Sequence, residues 1–207
     1  MMVLRNIVKS QLARLFRAFD PKKPLHPPDK DPLFHYTSGR WLWNEDEQLK
    51  ARFRPFNVPG LKEAACQAAG TEQCMSCEKI GEGNYNKAYR LVMGDDQKVI
   101  AKIPHPNAGP STLTTASEVA TMEFARTILN LPVPKVLAWS ASDQNHVQTE
   151  YIIMEEARGS QLYESWQDIS LETKYEIIRQ IVDIERKLLS FSFNKYGLGL
   201  TNVRIRR

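Results

Sequence analysis

The chain has 207 residues, enough for one sizeable domain or for a domain with appendages. Its hydrophobic share of 42% and charged share of 25% are those of a globular protein, and a net charge of +4 is too mild to imply a nucleic-acid partner. No apolar run is long enough to cross a bilayer, and 3 cysteines, an odd number, argue against a disulfide framework and for a reducing compartment.

Residues 1–19 hold Arg5, Lys9, Arg14 and Arg17 and no acid, with Leu4, Val8, Leu12, Leu15, Phe16 and Phe19 at helical spacing. That pattern is the physical description of a mitochondrial targeting segment; a basic helix touching a membrane surface or a partner is the alternative. Residues 20–33, with Pro21, Pro24, Pro27, Pro28 and Pro32, are expected to be an extended linker. His26 and His35 flank its second half and read as surface histidines, because no cysteine or carboxylate stands at ligand spacing.

Residues 34–70 form an aromatic and helical N-terminal extension. Phe34, Tyr36, Trp41, Trp43, Phe53 and Phe56 suit a hydrophobic clasp on the next domain better than a nucleic-acid platform. The spacing predicts a helix over Glu45–Phe53 and another over Val58–Ala69, with Pro59 at its start and Gly70 at its stop. Cys74 and Cys77 form a Cys-x-x-Cys without the second pair that a zinc ribbon needs, and Cys77 is expected to begin a strand.

The stretch Ile80–Ile103 organises residues 71–156. Apolar and β-branched runs flank a small polar loop and then a turn at Gly94-Asp95-Asp96, which predicts three antiparallel strands. The loop contains Gly81, Gly83 and Asn84, where backbone N–H groups would approach a phosphate closely. Along the third strand Ile100 and Lys102 share one face, opposite Val99, Ala101 and Ile103. One face packs on a helix. The other offers an apolar contact for a base and a charge for phosphates, and Ala88 is small enough to let a purine lie against it. A plain hairpin with a snorkelling lysine is the alternative, since Asn86 stands where a third glycine would.

A helix is expected from about Thr115 to Leu129, capped by Thr114 or Thr115. Glu118, Met122, Ala125 and Leu129 make one stripe that faces the sheet, so the Glu118 carboxylate can meet the strand lysine; stabilising the helix dipole is its other reading. Leu131–Trp139 re-enters the sheet as an edge strand. Tyr151–Met154 is a buried strand that breaks into Glu155-Glu156-Ala157, either a hinge whose backbone meets a purine edge or a plain strand exit. Residues 157–196 hold a short helix at Leu162–Trp166 and a long one at Leu171–Ser190, capped by Ser170, whose wide apolar face expects a partner. Residues 197–207 are a basic tail.

Taken in order, several of these stretches resemble the fungal aminoglycoside-phosphotransferase-like branch of the protein-kinase-like superfamily, and within it a mitochondrial group. They are Tyr36-Thr37-Ser38-Gly39-Arg40-Trp41, Glu82-Gly83-Asn84-Tyr85-Asn86-Lys87, Ile100-Ala101-Lys102-Ile103-Pro104, Asn107-Ala108-Gly109-Pro110, Ala116-Ser117-Glu118-Val119-Ala120-Thr121-Met122, Pro132-Val133-Pro134-Lys135-Val136 and Tyr151-Ile152-Ile153-Met154-Glu155-Glu156-Ala157. The resemblance implies an α+β fold: a kinase-like N-terminal lobe of five antiparallel strands plus a helix, with only the first helices of the C-lobe. It implies ATP as ligand, with magnesium in the family, in a mitochondrial protein. The loop around Gly81, Gly83 and Asn84 would cover the phosphates. Lys102 would hold the α- and β-phosphates and Glu118 would orient it. Ala88, Ile100 and Met154 would line the adenine pocket, with Glu156 and Ala157 at the hinge.

The family also needs a His-x-Asp catalytic loop and an aspartate-based metal element beyond the hinge. No histidine in these 207 residues stands two before an aspartate, and no aspartate after the hinge stands two before a glycine or another aspartate. The expectation is therefore a chain truncated before its catalytic base and magnesium ligands, from a truncated or mis-spliced gene model. It would serve as the nucleotide lobe of a phosphotransferase, inactive alone, or as a non-catalytic fragment that binds nucleotide or a mitochondrial protein through the 171–190 helix.

Overall fold

The computed structural model describes residues 32–192. The targeting segment, nearly all of the linker, His26 and the basic tail lie outside the described residues. The elements in chain order are α1 (Glu45–Ala51), α2 (Val58–Ala69), β1 (Cys74–Glu82), β2 (Asn86–Met93), β3 (Lys98–Pro104), α3 (Ser111–Thr127), β4 (Val136–Ser140), β5 (Tyr151–Glu155), α4 (Leu162–Ser165) and α5 (Leu171–Leu189).

The strands make one five-stranded sheet in the order β1-β2-β3-β5-β4, and every neighbouring pair is antiparallel. The expected α+β architecture is present, with β4 at an edge, where its preceding prolines cost no ladder bonds. Strand β2 alternates without a break, half-buried then buried, along its whole length. Tyr89, Leu91 and Met93 point into the core, together with Val99, Ala101 and Ile103 of β3 and Ile153 of β5.

Helix α2 covers that face. Its Leu61, Ala65 and Cys66 join the same buried cluster, as do Phe56 and Val147. Although it lies within the N-terminal extension, α2 thus supplies part of the core of the sheet. Asn57 is its N-cap, Pro59 falls in its first turn, and Gly70 ends it in the left-handed conformation at φ 72°. The aromatic segment ahead of it also packs on the sheet. Phe56 meets Tyr89 edge-on at 5.3 Å between centroids and Phe34 at 5.1 Å, while the Tyr89 hydroxyl donates to the Leu33 carbonyl at 2.7 Å. Trp43 stays 65% exposed and takes no part in this clasp.

Four expectations need correction. His35 is buried, not a surface residue, and its ring lies against Phe53 at 4.7 Å. Strand β1 starts at Cys74 rather than Cys77. Helix α1 stops at Ala51, where Arg52 turns back to bond the Gln48 carbonyl and side chain. Helix α3 starts at Ser111, a turn before either threonine, because the Pro110 carbonyl already accepts from the Leu113 and Thr114 amides. The Thr114 hydroxyl bonds back to the same carbonyl instead of capping the helix.

Candidate functional site

The half-buried face of the sheet carries the predicted residues. Ala88 stands opposite Lys102, Arg90 opposite Ile100, and Ile100 opposite Met154 in the strand registers. Cross-strand partners point to the same side, so Ala88, Arg90, Ile100, Lys102 and Met154 form one patch away from the α2 core. Lys102 Nζ donates to Glu118 Oε1 of α3. The two side chains are 24% and 32% exposed, so solvent reaches the pair on the face of the central strand β3. Glu118 is the eighth residue of α3, too far from the helix start for the dipole reading. What α3 buries instead is Thr115 and Val119, with Thr115 donating to the buried Glu150 at 2.6 Å.

The loop between β1 and β2, the flap, joins them at the end of the sheet where Ala88 and Lys102 lie. A Cβ placed on Gly81 or Gly83 would meet nothing within 4 Å, so both glycines border open space. The Gly83 amide is not available to a ligand, because it donates to Asn86 O at 2.9 Å. Among the described residues the amides of Asn84 and Tyr85 meet no protein acceptor, so the donor positions lie one and two residues later than the glycine. Tyr85 itself is 57% exposed.

Sequence reasoning missed how the flap is held. Glu82 accepts from the Thr37 amide, from the Thr37 hydroxyl at 2.9 Å and from Ser38 at 3.1 Å, while Lys79 Nζ reaches its other oxygen at 3.3 Å. Burial pushes the Glu82 carboxyl up, but the Thr37 bonds and the Lys79 charge outweigh it and hold it below the usual range. On the other limb Lys87 is buried and donates to the Arg52 carbonyl at 2.7 Å. Its Nζ lies 3.2 Å from His105 Nδ1, and His105 Nε2 lies 3.1 Å from Gly83 O. An ammonium has no lone pair to accept with, so His105 accepts at Nδ1 and donates from Nε2 to the Gly83 carbonyl. Burial first, then the Lys87 charge, lowers the His105 imidazole to about 4; burial lowers Lys87 to about 8. The alternation of β2 carried the signal: it aligns Lys87 with Tyr89, Leu91 and Met93 on the core side.

Glu156 and Ala157, the residues expected at a hinge, follow the end of β5. Glu156 accepts from Arg90 Nε at 2.8 Å and Nη2 at 2.5 Å, which ties the strand exit to the sheet face. Glu156 and Ala157 line a cleft of about 900 Å³ with Lys98, Arg126 and Pro134. The cleft does not include Lys102, Glu118 or the flap. A smaller cavity of about 250 Å³ lies between Arg54, Ser111 and Glu150, away from all the predicted site residues. Among the described residues no cluster of 3 or more histidine, cysteine, aspartate or glutamate side chains is placed to hold a metal ion.

Comparison with known proteins adds the family. The chain is 44% identical over 126 residues to a subtelomeric hrmA-associated cluster protein of Aspergillus fumigatus, a match covering 61% of this chain and 25% of that protein. It is 27% identical to the altered inheritance of mitochondria protein 9, mitochondrial, of Candida albicans, over 82% of this chain and 33% of that protein. The protein of that name in Meyerozyma guilliermondii is 26% identical, over 93% and 39% of the two chains. The chain thus spans about a quarter to two fifths of the length of these relatives. A crystal structure provisionally described as a fructosamine-3-kinase of Thermobifida fusca aligns with 51% of this chain and 33% of its own, at 16% identity and a TM-score of 0.37. Residues 76–199, more than half of the chain, match the model of the phosphotransferase enzyme family. On that match, which takes in the flap, the Lys102–Glu118 pair and residues Glu156 and Ala157, the chain belongs to the phosphotransferase enzyme family.

Proposed function

We propose that the sheet face under the flap binds ATP, as the nucleotide lobe of a mitochondrial phosphotransferase. The observation that carries this reading is the Lys102–Glu118 pair, set on the same side of the sheet as Ala88, Ile100 and Met154. A lysine held by a carboxylate is positioned as a fixed positive charge for phosphate oxygens, without the entropy of a free side chain. The open space at Gly81 and Gly83 leaves room for the phosphates, and the Asn84 and Tyr85 amides are available as donors there. Ala88, Ile100 and Met154 offer a half-exposed apolar surface of the kind an adenine ring needs. The backbone at Glu156 and Ala157 is the candidate for reading the base edge.

Bound ATP would supply a phosphoryl group for a hydroxyl acceptor. The roles of this chain's own residues are to bind, to orient and to neutralise charge: Lys102 at the phosphates, Glu118 holding Lys102, and the flap excluding water above them. Thermal unfolding of the 207-residue chain with and without ATP tests the site. A rise in Tm with ATP that disappears in Lys102→Ala supports it, and no rise in the parent protein rejects it.

A second reading has its own observation. Helix α5 exposes Leu171, Tyr175, Ile178 and Leu189, with Leu171, Tyr175 and Leu189 each at least 75% exposed. Among the described residues, this end of the chain is tied to the rest of the lobe by Phe191 on Phe124, at 5.4 Å between centroids, and by Lys187 on the Asn130 carbonyl at 3.4 Å. An apolar face of that extent supports a protein-binding role, with a mitochondrial protein as partner. Two of the relatives carry a mitochondrial name, which supports mitochondrial localisation here.

A further inference from the structure

We infer that the segment Thr37–Arg52 is a brace for the flap, with Glu82, Lys87 and His105 as the positioning residues through which it sets nucleotide affinity. The inference rests on the ATP-site reading above. Three ties reach the flap from outside its own hairpin. Thr37 and Ser38 hold Glu82 on the first limb. The Arg52 carbonyl holds Lys87 on the second. His105 holds the tip, its ring nitrogen at the Gly83 carbonyl and its backbone amide donating to Tyr85 O at 2.7 Å.

The chemistry of these ties is costly for mere stability. Lys87 is 1% exposed and stands in the row of β2 that otherwise holds Tyr89, Leu91 and Met93. An apolar side chain there would bury without desolvating a charge, and a buried ion seldom repays that cost in folding energy. What the ammonium does that a methyl group cannot is fix two acceptors on separate segments, Arg52 O and His105 Nδ1, in one geometry. His105, oriented by Lys87, then fixes the Gly83 carbonyl. On the other limb the Glu82 side chain is 1% exposed and meets Lys79 at 3.3 Å.

The consequence is a pre-ordered flap. A glycine-bearing loop between two strands ordinarily fluctuates, and a ligand that orders it pays the conformational entropy. Here the carbonyls of Gly83 and Tyr85 are already engaged, while the Asn84 and Tyr85 amides at the tip remain free for phosphate. Loosening either limb transfers the ordering cost to ATP.

Hydrogen exchange and ATP titration of the 207-residue chain decide the matter. In Thr37→Val and in Lys87→Met, exchange of the Gly83 and His105 amides, which donate to the Asn86 and Tyr85 carbonyls of the flap, is expected to accelerate about tenfold while the amides of β4 and β5 keep their rates. Thr37→Ser, which keeps the hydroxyl, is expected to restore the slow rate, and ATP affinity is expected to fall about tenfold in the two loosened variants. Wild-type exchange at the flap in both folded variants overturns the brace. So does an acceleration spread evenly over β4 and β5, which marks ordinary destabilisation. A loosened flap with unchanged ATP affinity overturns the coupling to nucleotide. If the parent chain binds no ATP, the nucleotide reading fails, and the exchange rates alone still decide whether the brace exists.

Discussion

Acid should weaken this fold through His105. The ring is 1% exposed and its Nδ1 faces the Lys87 ammonium. Arg52 also disfavours a proton there; Glu82 and the Gly83 carbonyl favour one, but burial and Lys87 dominate and lower the imidazole to about 4. In the unfolded chain the same ring titrates near 6.5. Below that pH the unfolded state binds a proton that the folded state refuses, so stability falls as pH drops from about 6.5 towards about 4. With those two values the loss at pH 5 is about 2 kcal/mol relative to pH 7.5, approaching about 3 kcal/mol at and below pH 4. The assay is urea unfolding at a series of pH values for the parent chain and for His105→Gln, which has no ring to protonate. The difference between the two slopes against pH isolates His105 from carboxylates common to both. Parallel curves between pH 7 and pH 4.5 would refute the reasoning, since they would mean that the folded ring accepts its proton as readily as the unfolded one.

Three further outcomes are expected from the same contacts. Tyr89→Phe keeps the buried ring but removes the donor to the Leu33 carbonyl, and should cost about 1–1.5 kcal/mol in urea unfolding. Gly60→Ala should fail to give soluble, folded protein on expression, or lose more than about 3 kcal/mol, because a Cβ there would sit 2.2 Å from the His146 carbonyl oxygen of the loop packed on α2. Glu118→Gln should shift the stability of the free chain by less than about 0.5 kcal/mol, since the pair is partly exposed, while reducing the rise in Tm produced by ATP. An ATP response equal to the parent's would remove Glu118 from the site.

Much of this lobe was legible in the chain because its signals are local. Apolar and β-branched runs around a small polar loop and a turn identify the first three strands, and the two-residue period of a strand assigns Ile100 and Lys102 to one face and Val99, Ala101 and Ile103 to the other. Pro59, Gly70 and Ser170 mark helix ends through backbone chemistry that needs no tertiary partner, and the Ser170 side chain does accept from the Thr173 amide. The sequence also placed Glu118 within reach of Lys102, since it heads the helix stripe that faces the sheet.

The tertiary structure decided what depends on pairing between distant segments. Which helix lies on the core face of the sheet turned on Leu61, Ala65 and Cys66 joining the buried cluster that holds Leu91 and Ala101, which helical spacing alone does not reveal. The start of α3 turned on where the Pro110 carbonyl points, so the two threonines misled. His35 looked like a surface histidine, and nothing in the sequence marked Lys87 or His105 as buried, because burial of a polar group is tolerable only when partners from elsewhere satisfy it. Those partners, Arg52 and Gly83 among them, are brought together only when the chain folds back over the sheet. Periodicity along a chain reports which side a residue faces; it carries no record of which remote carbonyl will be waiting there.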